Sequence, residues 1–251
     1  MIEIYCVLFF ICGLIFGSFF NVVGLRVPKK QSISYPGSHC PNCQHDLAWF
    51  ELIPVFSYLF LRGKCRSCHT KISPLYPIME AITGLLFAFT FYKLGFSIEL
   101  IASLFFISLL VIITVSDIAY MIIPDKVLLI FLIIFIIIRY FQPLYPWWDS
   151  IVGGIIGFSV LYIIALISRG GMGGGDIKLF FVIGVILGTK PVLFTLFFAS
   201  FLGAIYGIGL KLLGKFRKGT PIPFGPFISI SAVVSYFYAH IIIDWYLNLF
   251  I

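Results

Sequence analysis

Between Leu100 and Ser116 the chain carries no charged side chain, and apolar runs of this kind recur from one end of it to the other. A run of about 20 apolar residues crosses the hydrocarbon core of a bilayer as a helix. Eight such spans are expected, at roughly residues 3–24, 77–95, 98–116, 126–141, 150–168, 177–189, 191–212 and 223–247. The sixth is short, so it is expected to be tilted, kinked or only partly spanning. Composition agrees with an integral membrane protein: 61% of residues are hydrophobic, 11% are charged, and the mean hydropathy is +1.11. The first run continues unbroken to Val23 with no small-residue cleavage site, which reads as a retained span rather than a removed leader. The expected fold is all-α and polytopic, with residues 1–26 as the first span, 27–76 as a small cytoplasmic insertion, and 77–251 as the membrane core.

A formal charge of +7 could suggest a nucleic-acid partner. Its location argues otherwise, because nearly all the Lys and Arg fall in a few loops, as orientation in a bilayer demands. With the N-terminus outside, the outer segments hold only Lys93, Arg139 and Lys190 of the 17 basic residues, and the inner segments hold the rest. The lipid bilayer is the expected partner, and nucleic acid is not.

Two acids stand out against this background. Asp176 follows the glycine run Gly173-Gly174-Gly175 at the start of an apolar segment, and Asp117 closes another such segment. An ionised carboxylate is costly at the edge of lipid, so such a residue is a functional candidate by default. Orientation from the basic residues alone puts both at cytoplasmic span ends. Two carboxylates facing one water can share a proton and hydrolyse a peptide bond, one taking a proton from water while the other polarises the carbonyl. The glycines would permit close approach of an extended substrate backbone and dihedrals a side chain forbids. Other readings remain open at this point. Asp117 could simply end a span, the pair could serve as the relay of a proton-coupled transporter, or the chain could be a membrane scaffold. Asp125 after Pro124 is expected to cap the next helix, and Lys178 to neutralise charge near Asp176 or anchor its span.

The insertion carries Cys40-Pro41-Asn42-Cys43 and Cys65-Arg66-Ser67-Cys68. Two such knuckles read as a four-thiolate zinc site, since disulfides are disfavoured in a reducing cytoplasm. Four thiolates close the coordination sphere, so the zinc is expected to be structural, a staple for a segment with little core of its own. His39, His45 and His69 flank the knuckles and read as polar surface residues. Cys6 and Cys12 in the first span read as apolar packing residues.

Several of these stretches together resemble the bacterial type IV prepilin peptidases. The resemblance covers nearly the whole chain: Gly17-Ser18-Phe19-Phe20-Asn21, the two knuckles, Trp49-Phe50-Glu51-Leu52-Ile53-Pro54, Tyr76-Pro77-Ile78-Met79-Glu80, Asp117 with Ile123-Pro124-Asp125, and Gly173-Gly174-Gly175-Asp176-Ile177-Lys178-Leu179. It implies an aspartic endopeptidase with Asp117 and Asp176 as its catalytic pair and Cys40, Cys43, Cys65 and Cys68 as metal ligands. Its substrates would be prepilins and pseudopilins, cut after a basic leader at the cytoplasmic face of the inner membrane. It also implies N-methylation of the new terminus with S-adenosylmethionine. The roughly 49-residue insertion is too small for a doubly wound nucleotide domain and has no G-x-G-x-x-G, so the donor site is unassigned. Glu51, Arg62, Arg66 and Glu80 are polar positions there with no committed role. A non-catalytic pilus assembly protein is the remaining alternative.

Overall fold

The computed structural model describes residues 2–168, 172–214 and 222–249. Helices dominate: α1 (Ile2–Arg26), α2 (Phe56–Phe60), α3 (Leu75–Leu94), α4 (Ile98–Tyr120), α5 (Asp125–Phe141), α6 (Asp149–Ile167), α7 (Gly174–Leu187), α8 (Thr189–Leu212) and α9 (Gly225–Leu247). A 3-10 turn at Trp49–Leu52 precedes α2. Among the described residues there is no β-strand, only two isolated bridges in the insertion. Among the described residues six helices, α1, α3, α4, α6, α8 and α9, are long and apolar enough to cross a membrane, which makes this a multi-pass membrane protein.

Helices occupy all eight expected positions; six of them meet the length of a full crossing, and α5 and α7 are the two shorter ones. α5 and α7 have 17 and 14 residues. At 1.5 Å per residue they reach about 25 and 21 Å, short of the ~30 Å hydrocarbon core. The boundaries have local causes. Gly95, at φ +57°, ends α3 and returns its N–H to Phe91 O at 2.8 Å. Gly188, at φ +84°, ends α7 and turns the chain directly into α8.

The chain divides into two compact units, Met1–Ala119 and Tyr120–Ile251. In the first, α1 and α3 meet backbone to backbone. A Cβ on Gly13 would lie 2.7 Å from Gly84 Cα, and one on Gly17 would lie 2.9 Å from Glu80 Cα. Hydrocarbon offers no hydrophobic drive between helices, so small residues that let backbones touch supply the packing. Asn21 Nδ2 then donates to Tyr76 O at 3.1 Å, fixing the last turns of α1 to the first turn of α3. Near its end α1 also touches α4, where a Cβ on Gly24 would fall 2.8 Å from Val115 Cγ1 and 2.9 Å from Ile112 O.

The second unit repeats the device. Gly153 and Gly157 of α6 face α7, where an added Cβ would meet Gly184 O or Phe180 O, each at 2.6 Å. A Cβ on Gly184 would in turn strike Gly153 O. At the far end of α7 the buried Arg139 donates from Nε and Nη2 to Ile186 O, at 3.1 and 2.6 Å. A cation on a C-terminal carbonyl satisfies a group the helix leaves unpaired. Arg139 is thus a buried clamp in the last turn of α5. Asp149 accepts from the Thr189 N–H at 3.2 Å and so serves the start of α8.

Replacing Gly184 by Val is expected to force α6 off α7. Overpacking of this kind costs about 1–3 kcal/mol or more, which thermal unfolding in detergent will show as a lowered midpoint. An unchanged midpoint would mean the glycine contact is not what holds these helices.

Candidate active site and metal centre

Asp117 lies one turn before the end of α4, which runs on to Tyr120 instead of stopping at Ser116. It is buried, as are Val115 and Ser116 before it. The Gly24 contact at Val115 presses the end of α1 against α4 two residues away. The aspartate therefore sits on a backbone fixed from the side, not on a loop.

Asp176 is the third residue of α7, with its N–H on Gly173 O at 3.1 Å. A helix start favours a carboxylate through its unpaired N–H groups and dipole. The three glycines before Asp176 serve different ends. None has a positive φ, so the expected left-handed dihedrals are not used. Gly173 is exposed, and a Cβ there would lie 3.0 Å from Asp176 Oδ2. Gly174 has open space around it. At Gly175 a Cβ would lie 2.7 Å from Ile123 Cβ, so here the protein itself occupies the space.

A second contact joins the same two segments. Asp125 does not cap α5: Pro124 holds the N-cap position, and Asp125 is the first helical residue. Its carboxylate accepts two hydrogen bonds from Lys178 Nζ, at 2.9 and 2.8 Å. Both side chains are more than half exposed (67% and 54%), so the pair is worth about 0–1 kcal/mol at most. Its value is geometric, since it and the Gly175–Ile123 contact fasten the segment before α5 to the first turn of α7. Opposite charges 53 positions apart in sequence give no local signal of this pairing.

The metal centre is built from two knuckles of the same geometry. Cys40 N–H donates to His45 O and Gln44 N–H to Cys40 O; Cys65 N–H donates to Thr70 O and His69 N–H to Cys65 O. Gln44 and His69 both turn with positive φ, and bridges His39–Asp46 and Lys64–Lys71 close each knuckle. The four sulfurs all lie within 4.8 Å of one another, with Cys40–Cys68 at 3.8 Å and Cys43–Cys65 at 3.9 Å. A tetrahedron with Zn–S bonds of about 2.3 Å has S···S edges of about 3.8 Å, so this donor set fits zinc.

The thiols also divide in a way a cation would resolve. The Thr70 hydroxyl and N–H lower Cys68 to about 5. Cys43, despite a backbone hydrogen bond at His45 that favours its thiolate, is pushed up to about 12 by desolvation and the neighbouring sulfurs. Four thiolates in so small a volume would need positive charge, which a divalent ion would supply. The histidines stay outside the cluster: His39 Nδ1 is 3.0 Å from Gly37 O, and His45 Nε2 is 3.2 Å from Glu51 Oε2.

Two acids in the first unit have positioning roles that sequence left open. Glu51 is buried and accepts the Ala48 N–H at 2.9 Å, which with His45 holds its carboxyl below the usual range. Glu80 of α3, also buried, accepts the Val55 N–H at 2.7 Å. That bond ties the start of α2 to α3.

The chain is similar to known proteins along most of its length. Residues 11–94 match the bacterial peptidase A24 N-terminal domain, and residues 104–208 match the type IV leader peptidase family. A prepilin leader peptidase/N-methyltransferase of Bacillus subtilis (strain 168) is 44% identical over 96% of this chain and 97% of its own length. One of the same description from Aeromonas salmonicida (strain A449) is 32% identical over 98% of this chain and 94% of its own. Another, from Myxococcus xanthus (strain DK1622), is 37% identical over 86% of this chain and 66% of its own. No solved structure matches the chain. The coverage, end to end and through both matched regions, places this chain in the type IV leader peptidase family.

Proposed function

We propose that this chain cuts the leader from type IV prepilins and pseudopilins by aspartic hydrolysis and methylates the N-terminal amine so exposed. The observation that carries this is the span of the peptidase match, residues 104–208, which includes both Asp117 and Asp176. In this reading the two carboxylates hold one proton between them. The ionised member takes a proton from water as its oxygen attacks the scissile carbonyl carbon. The protonated member gives its proton to the carbonyl oxygen. Collapse of the tetrahedral species breaks the C–N bond as the leaving amine takes a proton from one carboxyl and a diol hydroxyl returns one to the other carboxylate, which restores the single shared proton. Acid and base belong to the coupled pair and not to one residue. Open space at Gly174 and the exposure of Gly173 suit the approach of an extended substrate backbone.

The site is assigned to the cytoplasmic face of the bacterial inner membrane, with the N-terminus outside. The support is the distribution of Lys and Arg, in which Arg169, Lys215, Arg217 and Lys218 lie outside the described residues. Within the second unit, Lys178 stands at one end of α7, and Arg139 caps the other. The domain reading remains residues 27–76 as the zinc-bearing methyltransferase part and 77–251 as the peptidase core. Zinc on Cys40, Cys43, Cys65 and Cys68 closes the insertion and takes no part in hydrolysis. S-adenosylmethionine supplies the methyl group that the relatives' name implies. The insertion has no strand from which a doubly wound donor site could be built, so methyl transfer is assigned to no residue.

Asp117→Asn and Asp176→Asn are each expected to lower leader cleavage by roughly 10²–10⁴-fold while leaving thermal stability near that of the parent, measured on a purified prepilin. Cleavage within a few-fold of the parent would remove the dyad. Gly175→Val is expected to lose cleavage through collision with Ile123, and adding Ile123→Ala should restore part of it. No recovery in the double variant would return Gly175 to direct substrate contact. Elemental analysis should find one zinc per chain, and Cys40→Ser with Cys43→Ser should release it. Unchanged zinc in that variant would refute the ligand set.

A further inference from the structure

The insertion exposes large apolar side chains where a water-facing domain would hide them. Trp49 is 78% exposed, Phe56 51%, Leu59 64% and Phe60 83%. In α2 the spacing i, i+3, i+4 puts Phe56, Leu59 and Phe60 on one face. Tyr58, between them, points the other way and packs on the turn at Gly63, where a Cβ would lie 2.8 Å from its hydroxyl. The polar side of this short helix is therefore turned inward and its apolar side outward. An exposed cluster of this kind marks an interaction surface.

Two observations say what covers it. The first is position. The Val55 N–H at the start of α2 is bonded to Glu80 in the second turn of α3, one of the six membrane-crossing helices. Asn21 of α1 is bonded to Tyr76 in the first turn of that same helix. The apolar face is thus held at the level where α1 leaves the bilayer and α3 enters it. The second is charge. Arg62, Lys64 and Arg66, all exposed, follow α2 directly, and Arg66 lies over the Phe50 ring at 5.2 Å. Aromatic residues beside cations are the composition of a segment lying in the headgroup layer of an anionic membrane.

We propose that the Trp49–Leu52 turn and α2 form an interfacial anchor, with Trp49, Phe56, Leu59 and Phe60 set into the leaflet and Arg62, Lys64 and Arg66 meeting its phosphates. The zinc knuckles are then held against the membrane surface rather than projecting into water. This rests on the membrane placement of α1 and α3, not on the peptidase reading, and its test does not depend on cleavage.

Trp49 is the reporter. A variant with Trp147, Trp148 and Trp245 each replaced by Phe, its zinc content checked against the parent, is reconstituted into phosphatidylglycerol vesicles. The expected result is blue-shifted Trp49 emission, quenched more by lipids brominated near the headgroup than by those brominated deep in the chain, and shielded from aqueous iodide. Adding Arg62→Glu and Lys64→Glu should reduce that lipid quenching with zinc retained. Red-shifted emission, open to iodide and untouched by brominated lipid, would overturn the proposal. Shielding that arises only when a prepilin is added would also overturn it, in favour of a substrate-docking face.

Discussion

Glycine-mediated contact between helix backbones is the constraint on which the rest of this structure depends. In lipid, apolar side chains gain nothing by leaving hydrocarbon for one another, so helices must earn their association by close fit. Gly13 and Gly17 bring α1 onto α3, and Gly153, Gly157 and Gly184 bring α6 onto α7. The same device reaches both candidate aspartates. Gly24 presses α1 on α4 two residues before Asp117, and Gly175 presses α7 on Ile123 one residue before Asp176. Within its own unit, each aspartate is thereby held by a close contact at its side.

Polar groups follow the same logic of placement. Three buried ones pair with a backbone group at a helix end or turn. Arg139 covers Ile186 O, Glu80 takes the Val55 N–H, and Glu51 takes the Ala48 N–H. These bonds exchange a desolvation cost for a fixed geometry. The insertion adds the knuckles, where matching backbone turns bring four sulfurs to tetrahedral spacing. The two parts use different means, glycine seams between long helices and, in the insertion, a four-cysteine cluster that fits zinc.

Much of this was legible in the sequence because it is written in local terms. Apolar runs near 20 residues mark helices, and paired C-x-x-C knuckles mark a thiolate site. What was not legible depends on distant partners. Asp125 looks like a helix cap because Asp favours helix starts, yet Pro124 holds that position and Lys178 takes the carboxylate. At Gly175 the space a Cβ would need is taken by Ile123, a contact no spacing rule predicts. Arg139 falls inside the expected span 126–141, but its partner Ile186 O, 47 positions on, leaves no local signal. Asp117 looks like the end of a span, although α4 continues another turn around it.

The central claim is that one chain carries leader cleavage and methylation. Its most direct test is the intact mass of a prepilin incubated with the purified, zinc-loaded protein and S-adenosylmethionine. Loss of the leader with the gain of a single methyl group is the predicted result. An unchanged mass, with a cognate substrate and a protein shown to be folded, would contradict it.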